Sequence, residues 1–316
     1  MAHYAIHGLT IASDRPLELP TSLDLPGTMA PRGRAGHIEI RYVAQLPVLG
    51  QALYEVGRAD DPERALFAVH ERDGALTMRF PNGVAYRITD GGRVIECAGA
   101  HPHEALASVL TEIVIPRVLQ LHGLLCFHAS AVQMGDRALA LTAPSGMGKS
   151  TIVTALCARG HALICDDSLA VSAAGDAHPG PATVRLWDDS AATLLDDATT
   201  SSNGEAQRTR GGKLQIRRAG VEGVVPLGAV CCLEKTENFE LHRLGVGDAV
   251  ATLTNSLHRI DTRSRDVLAR EFESLTTVAQ CVPVWQVGVP HDFDLLPDVC
   301  GRLEQLLVEL DESAIA

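Results

Sequence analysis

Over its first hundred residues the chain alternates apolar and polar side chains with a period of two. The runs HYAIHGLTIAS, GHIEIRYV, RALFAVHERDG, ALTMRFPNG and VAYRITDGGRVIECAG are short and are separated by Gly, Pro, Asp and Asn. Alternation at this period sends every second side chain to one face of a strand. Arg72-Asp73-Gly74 and Pro81-Asn82-Gly83 supply hairpin turns between such strands. The pattern predicts an antiparallel β-rich domain over residues 1–100, with a looser Pro/Gly-rich connection around residues 20–36. His3, His7, His37 and His70 show no metal-ligand spacing and are expected on the surface or on sheet faces.

From residue 101 the period changes. In HEALASVLTEIVIPRVLQLHG, Ala105, Val109, Ile113, Val114, Val118 and Leu121 share one helical face. Gly123 stops this helix, and Pro116, lacking an N–H, is expected to kink or split it. LLCFHASAV and RALALT follow as apolar strands around a turn at Gly135-Asp136. Then come APSGMGKST, the helix STIVTALCAR ended by Gly160, and HALICDD. Strand, loop, helix and strand in this order predict an α/β domain over residues 101–316, in a chain that is α+β overall. Residues 196–212 have no apolar period and are expected to form a mobile loop. Strands KLQIRR, LGAVCCLEK and VPVWQVGV are expected, with helices over about 246–259, 263–279 and 292–310. No internal repeat is found.

The stretch APSGMGKST is close to the phosphate-loop pattern G-x-x-x-x-G-K-[S/T], with Ala143 at the first glycine. Such a loop works because successive backbone N–H groups and a helix N-terminus converge on an anion. Gly146 and Gly148 give backbone freedom, Lys149 gives charge, and the Ser150 hydroxyl can reach Mg²⁺. Alanine is tolerated at 143 if its φ is negative. Ser145, Gly146, Met147, Gly148, Lys149, Ser150 and Thr151 are therefore the candidate ATP-binding residues.

Asp166 and Asp167 follow after one short helix. Ten helical residues descend roughly 15 Å, and the strand 161–166 climbs roughly 16 Å back. The carboxylates thus return level with the loop. One can orient Mg²⁺ while the other takes the proton of an attacking hydroxyl. His128, in CFHASAV, is either a core histidine or a partner that tunes Asp166 from a neighbouring strand.

Net charge is −12, from 39 acidic and 27 basic residues, which argues against nucleic-acid or anionic-membrane binding. Against that background RTRGGKLQIRR carries Arg208, Arg210, Lys213, Arg217 and Arg218 with no acid. It is either a solvated charge run or a strip that contacts a transferred phosphate or an acidic acceptor. VRLWDDS packs the domain or borders the acceptor site. The N-terminus lacks the pattern of a signal peptide and no run is apolar enough to span a membrane. The eight cysteines lack paired spacings, which points to reduced thiols and a cytoplasmic protein.

HASAVQMGDRALALTAPSGMGKSTIVTALCARGHALICDD resembles the catalytic core of the HPr serine kinase/phosphorylase family, with its His-bearing strand, phosphate loop, single helix, RGH and double Asp. HYAIHGLTIASDRPLELP, VRLWDDS and VPVWQVGVPHDFDLLPDVCGRLEQL resemble a bacterial subgroup encoded in lasso-peptide and related peptide clusters. The resemblance implies a phosphate-loop domain of the HPr kinase/PEP carboxykinase type and ATP- and Mg²⁺-dependent phosphorylation of a serine. In lasso clusters that serine ends a precursor peptide. The resemblance also implies Asp166 as general base, His128 as its support, Lys149 among the phosphate-binding residues, and Ser150 with one Asp, taken as Asp167, as metal ligands. Lys213, which follows two glycines in the basic run, is expected to join Lys149 as a catalytic cation. Arg208, Arg210 and Arg217 would contact phosphate or acceptor, and an oligomer is expected by analogy. No counterpart of the stretch linked to phosphorylase activity is found, which favours a kinase without efficient phosphorolysis. Other acceptors (an HPr-like carrier protein or a small metabolite) and a non-catalytic ATP-binding regulator are the alternatives.

Overall fold

The computed structural model describes all residues except 18–35, 48, 50–51, 58–64, 82, 100–108, 196–205, 210–211, 259–264 and 316. Two compact units divide the chain, Met1–His122 and Gly123–Ala316. The division falls after the helix that follows the first sheet rather than at residue 100. The cause is packing within the first unit: a Cβ on Gly36 would come within 2.6 Å of the His122 ring, and one on Gly92 within 3.1 Å.

The first unit is an eight-stranded sheet of β1 (Ala2–Ile6), β2 (Leu9–Ser13), β3 (Gly36–Tyr42), β4 (Tyr54–Gly57), β5 (Ala65–Arg72), β6 (Ala75–Arg79), β7 (Ala85–Thr89) and β8 (Val94–Ala98). Their spatial order is β1-β2-β3-β8-β7-β6-β5-β4. The sheet is mixed, not wholly antiparallel, because β3 runs parallel to both β2 and β8. A parallel pairing needs a long crossover, and the Pro/Gly-rich connection before residue 36 has that length. Asp73-Gly74 forms the expected tight hairpin, with φ of 53° and 74°. His7-Gly8, at 50° and 75°, forms a second one that the composition did not flag. Ile38 and Ile40 are fully buried while His37, Glu39 and Arg41 face away. His7 and His70 are buried, unlike His3 and His37.

The helix around Pro116 does not stop, but it is not a regular α-helix there. A π-helical turn (Leu110–Val114) leads directly into α1 (Ile115–Leu121), whose second residue is Pro116. Pro116 has no N–H, and the wide turn just before it, in which the Ile115 N–H donates to Leu110 O, is the local departure from α-helical hydrogen bonding that accommodates the proline. Residues 103–108 of the expected helix lie outside the described residues.

In the second unit the expected single strand LLCFHASAV is two strands, β9 (Leu125–Phe127) and β10 (Ala129–Met134), with His128 at the break. β11 (Arg137–Thr142), α2 (Lys149–Ala158) and β12 (Ala162–Cys165) follow. β13 (Leu169–Val171), β14 (Asp176–His178), β15 (Thr183–Leu186) and α3 (Asp188–Leu194) come next. β16 (Gln207–Arg208) and β17 (Leu214–Arg217) form a small sheet with β15. β16 falls inside the segment expected to be a loop, most of which lies outside the described residues. The chain ends with β18 (Val225–Lys235), β19 (Glu240–Arg243), α4 (Val246–Thr254), α5 (Arg265–Cys281), β20 (Val284–Val289) and α6 (Leu296–Ile315).

β11 lies at the centre of the nine-stranded sheet, antiparallel to β10 and parallel to β18. Its alternation RALALT sends Leu139 and Leu141 to a core with Ile152, Val153 and Leu156 of α2 and Leu303 and Leu307 of α6. Ala138 and Ala140 face the opposite core, with Leu253 of α4 and Leu275 and Val278 of α5. Each buried leucine stabilises by about 1.5–3 kcal/mol. Helices on both faces of a largely parallel centre make this unit α/β, as the sequence predicts. No helix of the described residues is long and apolar enough to cross a membrane.

Candidate active site

β11, buried on both faces, delivers the chain to Thr142, whose hydroxyl bonds Ser256 Oγ at 2.6 Å and His128 O at 3.3 Å. Ala143 keeps a negative φ, so the missing glycine costs the loop no strain. Gly146 and Gly148 have φ of 85° and 87°, where an L side chain is strained even though a Cβ would meet nothing within 4 Å. Left-handed residues alternating with ordinary ones turn successive N–H groups inward and form an anion nest. Gly148 then starts α2, whose N-terminus adds partial positive charge.

Lys149 is buried, and its ammonium donates to the loop's own Ala143 carbonyl at 2.7 Å and to Pro144 O at 3.3 Å. Nζ also lies 3.2 Å from His128 Nε2. An ammonium only donates, so Nε2 accepts and His128 Nδ1 carries the proton, 3.1 Å from the Asp167 carbonyl. Burial first, then Lys149, lowers the His128 pKa and keeps the ring neutral. Burial likewise lowers the Lys149 pKa, against the opposing pull of Asp167 and Asp166.

The two aspartates differ sharply. Asp166 Oδ1 accepts from Ser130 Oγ at 2.6 Å and from Ser150 Oγ at 2.9 Å, and Oδ2 accepts from the Arg185 N–H at 3.0 Å. Desolvation, then the charge of Asp167, raises its pKa, while these three donors oppose the shift. Asp167 has a left-handed φ of 65°, which an L residue adopts at some cost and which turns its side chain away from that of Asp166. Its Oδ2 pairs with Arg185 Nη2 at 2.8 Å. Asp167, not Asp166, borders the cavity of about 250 Å³ above the loop. Its carbonyl also lies 3.2 Å from His258 Nε2, beside the edge-on His128 and His258 rings.

Every expected loop residue, Ser145 through Thr151, lines this cavity, together with Asp167 and Lys213. Lys213 Nζ stands 5.4 Å from the centroid of the Trp187 ring, which is half exposed. The rest of the basic run is elsewhere. Arg208 pairs with Asp188 at 2.9 Å in solvent, Arg217 is exposed on β17, and Arg210 lies outside the described residues. A strand alternates its faces, so a run of cations cannot all point one way.

His128 does not hydrogen-bond Asp166. The break between β9, paired with β13, and β10, paired with β12, turns its ring to Lys149 and to the Asp167 carbonyl. Ser130 occupies the position expected for it. Ser130, Arg185 and His258 escaped the sequence reading. Ser130 lies two residues beyond His128, on the same face of the strand pattern; Arg185 lies in VRLWDDS, where nothing local shows that its side chain meets Asp167. The eight cysteines are all free thiols, most of them buried; burial holds Cys126 at about 12.

Ser150 Oγ and the Asp166 carboxylate are the hard oxygen donors that Mg²⁺ prefers. Among the described residues no group of three or more His, Cys, Asp or Glu could hold a metal alone. A hydroxyl and one carboxylate suit an ion whose shell is completed by phosphate oxygens and water.

No family model matches the chain. An HPr kinase/phosphorylase of Azoarcus sp. (strain BH72) is 29% identical over 150 residues, covering 44% of this chain and 46% of that protein. The chain thus matches less than half the length of this curated relative. The HPr(Ser) kinase/phosphatase structure from Coxiella burnetii aligns at a TM-score of 0.28 with 16% identity, over 58% of this chain and 98% of that one. The similarity to HPr kinases lies in the sequence match.

Proposed function

We propose that this chain is an ATP- and Mg²⁺-dependent kinase that phosphorylates a serine hydroxyl. The observation that carries the proposal is the cavity-facing carboxylate of Asp167 beside the phosphate nest of Gly146–Lys149. The similarity to an HPr kinase/phosphorylase supports it.

In this proposal the two aspartates exchange the roles that the resemblance implies. Asp166, hydrogen-bonded to Ser150, is the metal-side carboxylate, and Asp167 is the general base. Mg²⁺, when bound, would neutralise the β- and γ-phosphates. The nest and Lys149 hold the same phosphates once Lys149 leaves the Ala143 and Pro144 carbonyls. Asp167 accepts the serine proton as the serine oxygen bonds to the γ-phosphorus and the bond to the β–γ bridging oxygen breaks, releasing ADP. His128 and His258 fix the Asp167 backbone and so aim its carboxylate. Lys213 stabilises charge on the transferring group.

For the acceptor we propose the C-terminal serine of a lasso-type precursor peptide, supported by the resemblance of the N-terminal and C-terminal stretches alone. Free buried thiols support a reducing, cytoplasmic setting. Incubation with γ-labelled ATP and either a Ser-terminated peptide or HPr tests this. Label on the peptide is expected; label on HPr alone would reject the peptide acceptor while leaving the kinase standing.

A further inference from the structure

Resting on the kinase assignment above, we propose that the turn after β20, with the exposed ring of Phe293, is the binding subsite for the nucleobase. The sheet topology carries this. β12, β11, β18 and β20 all run parallel, and the phosphate loop leaves the end of β11. Asp166 and Asp167 leave the same edge two strands to one side, across β10. Residues 290–296 leave that edge two strands to the other side, across β18. At ~4.8 Å between strands, each flank stands roughly 10 Å from the loop.

A triphosphate on the nest has two ends, and they need different chemistry. Its γ-end belongs beside Ser150, Asp166 and Asp167. Its nucleoside end therefore extends away from the carboxylates, toward the other flank. That flank is built for an aromatic ligand. Val289, Pro290, Phe293 and Leu296 line the same cavity as the loop, and Phe293 remains 39% exposed. A large ring left open to solvent inside a phosphate-binding cavity offers a face for stacking. The turn is also preorganised: Asp292 Oδ1 accepts from Asp294 N at 2.9 Å, and the Leu295 N–H donates to Asp292 O at 3.3 Å. Trp187, the other exposed aromatic at the cavity, stands with Lys213 on the carboxylate side, next to Arg185, and is left for the acceptor.

Calorimetric titration of Mg²⁺-ATP and of Mg²⁺-tripolyphosphate separates the two ends. Phe293→Ala is expected to weaken ATP by between about fivefold and about a hundredfold, the range that stacking on an aromatic ring supplies. Tripolyphosphate affinity should stay unchanged, Phe293→Trp should restore ATP, and Trp187→Ala should leave both ligands alone. Unchanged ATP affinity in Phe293→Ala, or equal loss of both ligands, would overturn the subsite. Selective loss of ATP in Trp187→Ala would move the base to the opposite flank and overturn it too. If the unaltered protein binds neither ligand, the phosphate-loop assignment fails and the subsite falls with it.

Discussion

Ser150 donates its hydroxyl proton to Asp166 Oδ1 across 2.9 Å, joining the first turn of α2 to the end of β12. The bond ties Asp166 to the loop's hydroxyl, whereas Asp167 borders the cavity. Ser150→Ala and Asp166→Asn should each weaken Mg²⁺-dependent ATP binding by about ten- to a hundredfold. ATP titrated without Mg²⁺ should bind both variants as it binds the unaltered protein. Equal losses with and without the metal would remove these residues from the metal side.

Ser130→Ala removes the shortest hydrogen bond to Asp166, 2.6 Å, from a side chain with no exposed surface. Such a bond to a charged group is worth about 1.5–3 kcal/mol. Urea denaturation should show a loss of that size with an unchanged m-value. A loss near zero would mean that Asp166 is held by its other two donors alone.

The five-cation run should divide by position. Lys213→Ala is expected to lower kcat by about 10²–10³-fold, as loss of one preorganised charge-stabilising donor does. Arg208→Ala and Arg217→Ala should leave kcat nearly unchanged, because both side chains stand in solvent outside the cavity. Steady-state kinetics of the three variants checks this, and equal losses in all would restore the idea of a continuous basic strip.

His178 in β14 is buried, and its Nδ1 has no partner among the described residues. Burial lowers its pKa below the ordinary 6.5, against the nearby Asp176. The unfolded chain therefore takes up this proton first as pH falls, so stability is full above 6.5 and declines as pH drops toward the native value. Melting temperatures from about pH 7.5 to about pH 5.5 should fall less steeply in His178→Leu than in the unaltered protein. Identical slopes would show that His178 does not titrate differently on unfolding.

Much of this was legible in the chain itself. Strand–loop–helix–strand was readable because RALALT and STIVTALCAR carry clean periods, and the return of Asp166 to the loop followed from rise per residue alone. The tight turn at Asp73-Gly74 needed only its residue types. Register and direction were not legible. Nothing local says that β3 pairs in parallel with β2 and β8, since that depends on the path of a long connection. The break at His128 was hidden because LLCFHASAV is apolar throughout, and only pairing with different neighbours divides it into two strands. Asp167 has a positive φ and is contacted by Arg185, His128 and His258, residues distant in sequence, so neither its backbone conformation nor its partners could be read locally.

The central claim is that Asp167 takes a proton from a serine hydroxyl as phosphate transfers to it. Single-turnover transfer from γ-labelled ATP to a Ser-terminated peptide, compared between the unaltered protein and Asp167→Asn at saturating ATP, tests it directly. The account predicts that Asp167→Asn transfers about 10²–10⁴-fold more slowly, with ATP affinity retained. Transfer at an unchanged rate in Asp167→Asn would contradict it.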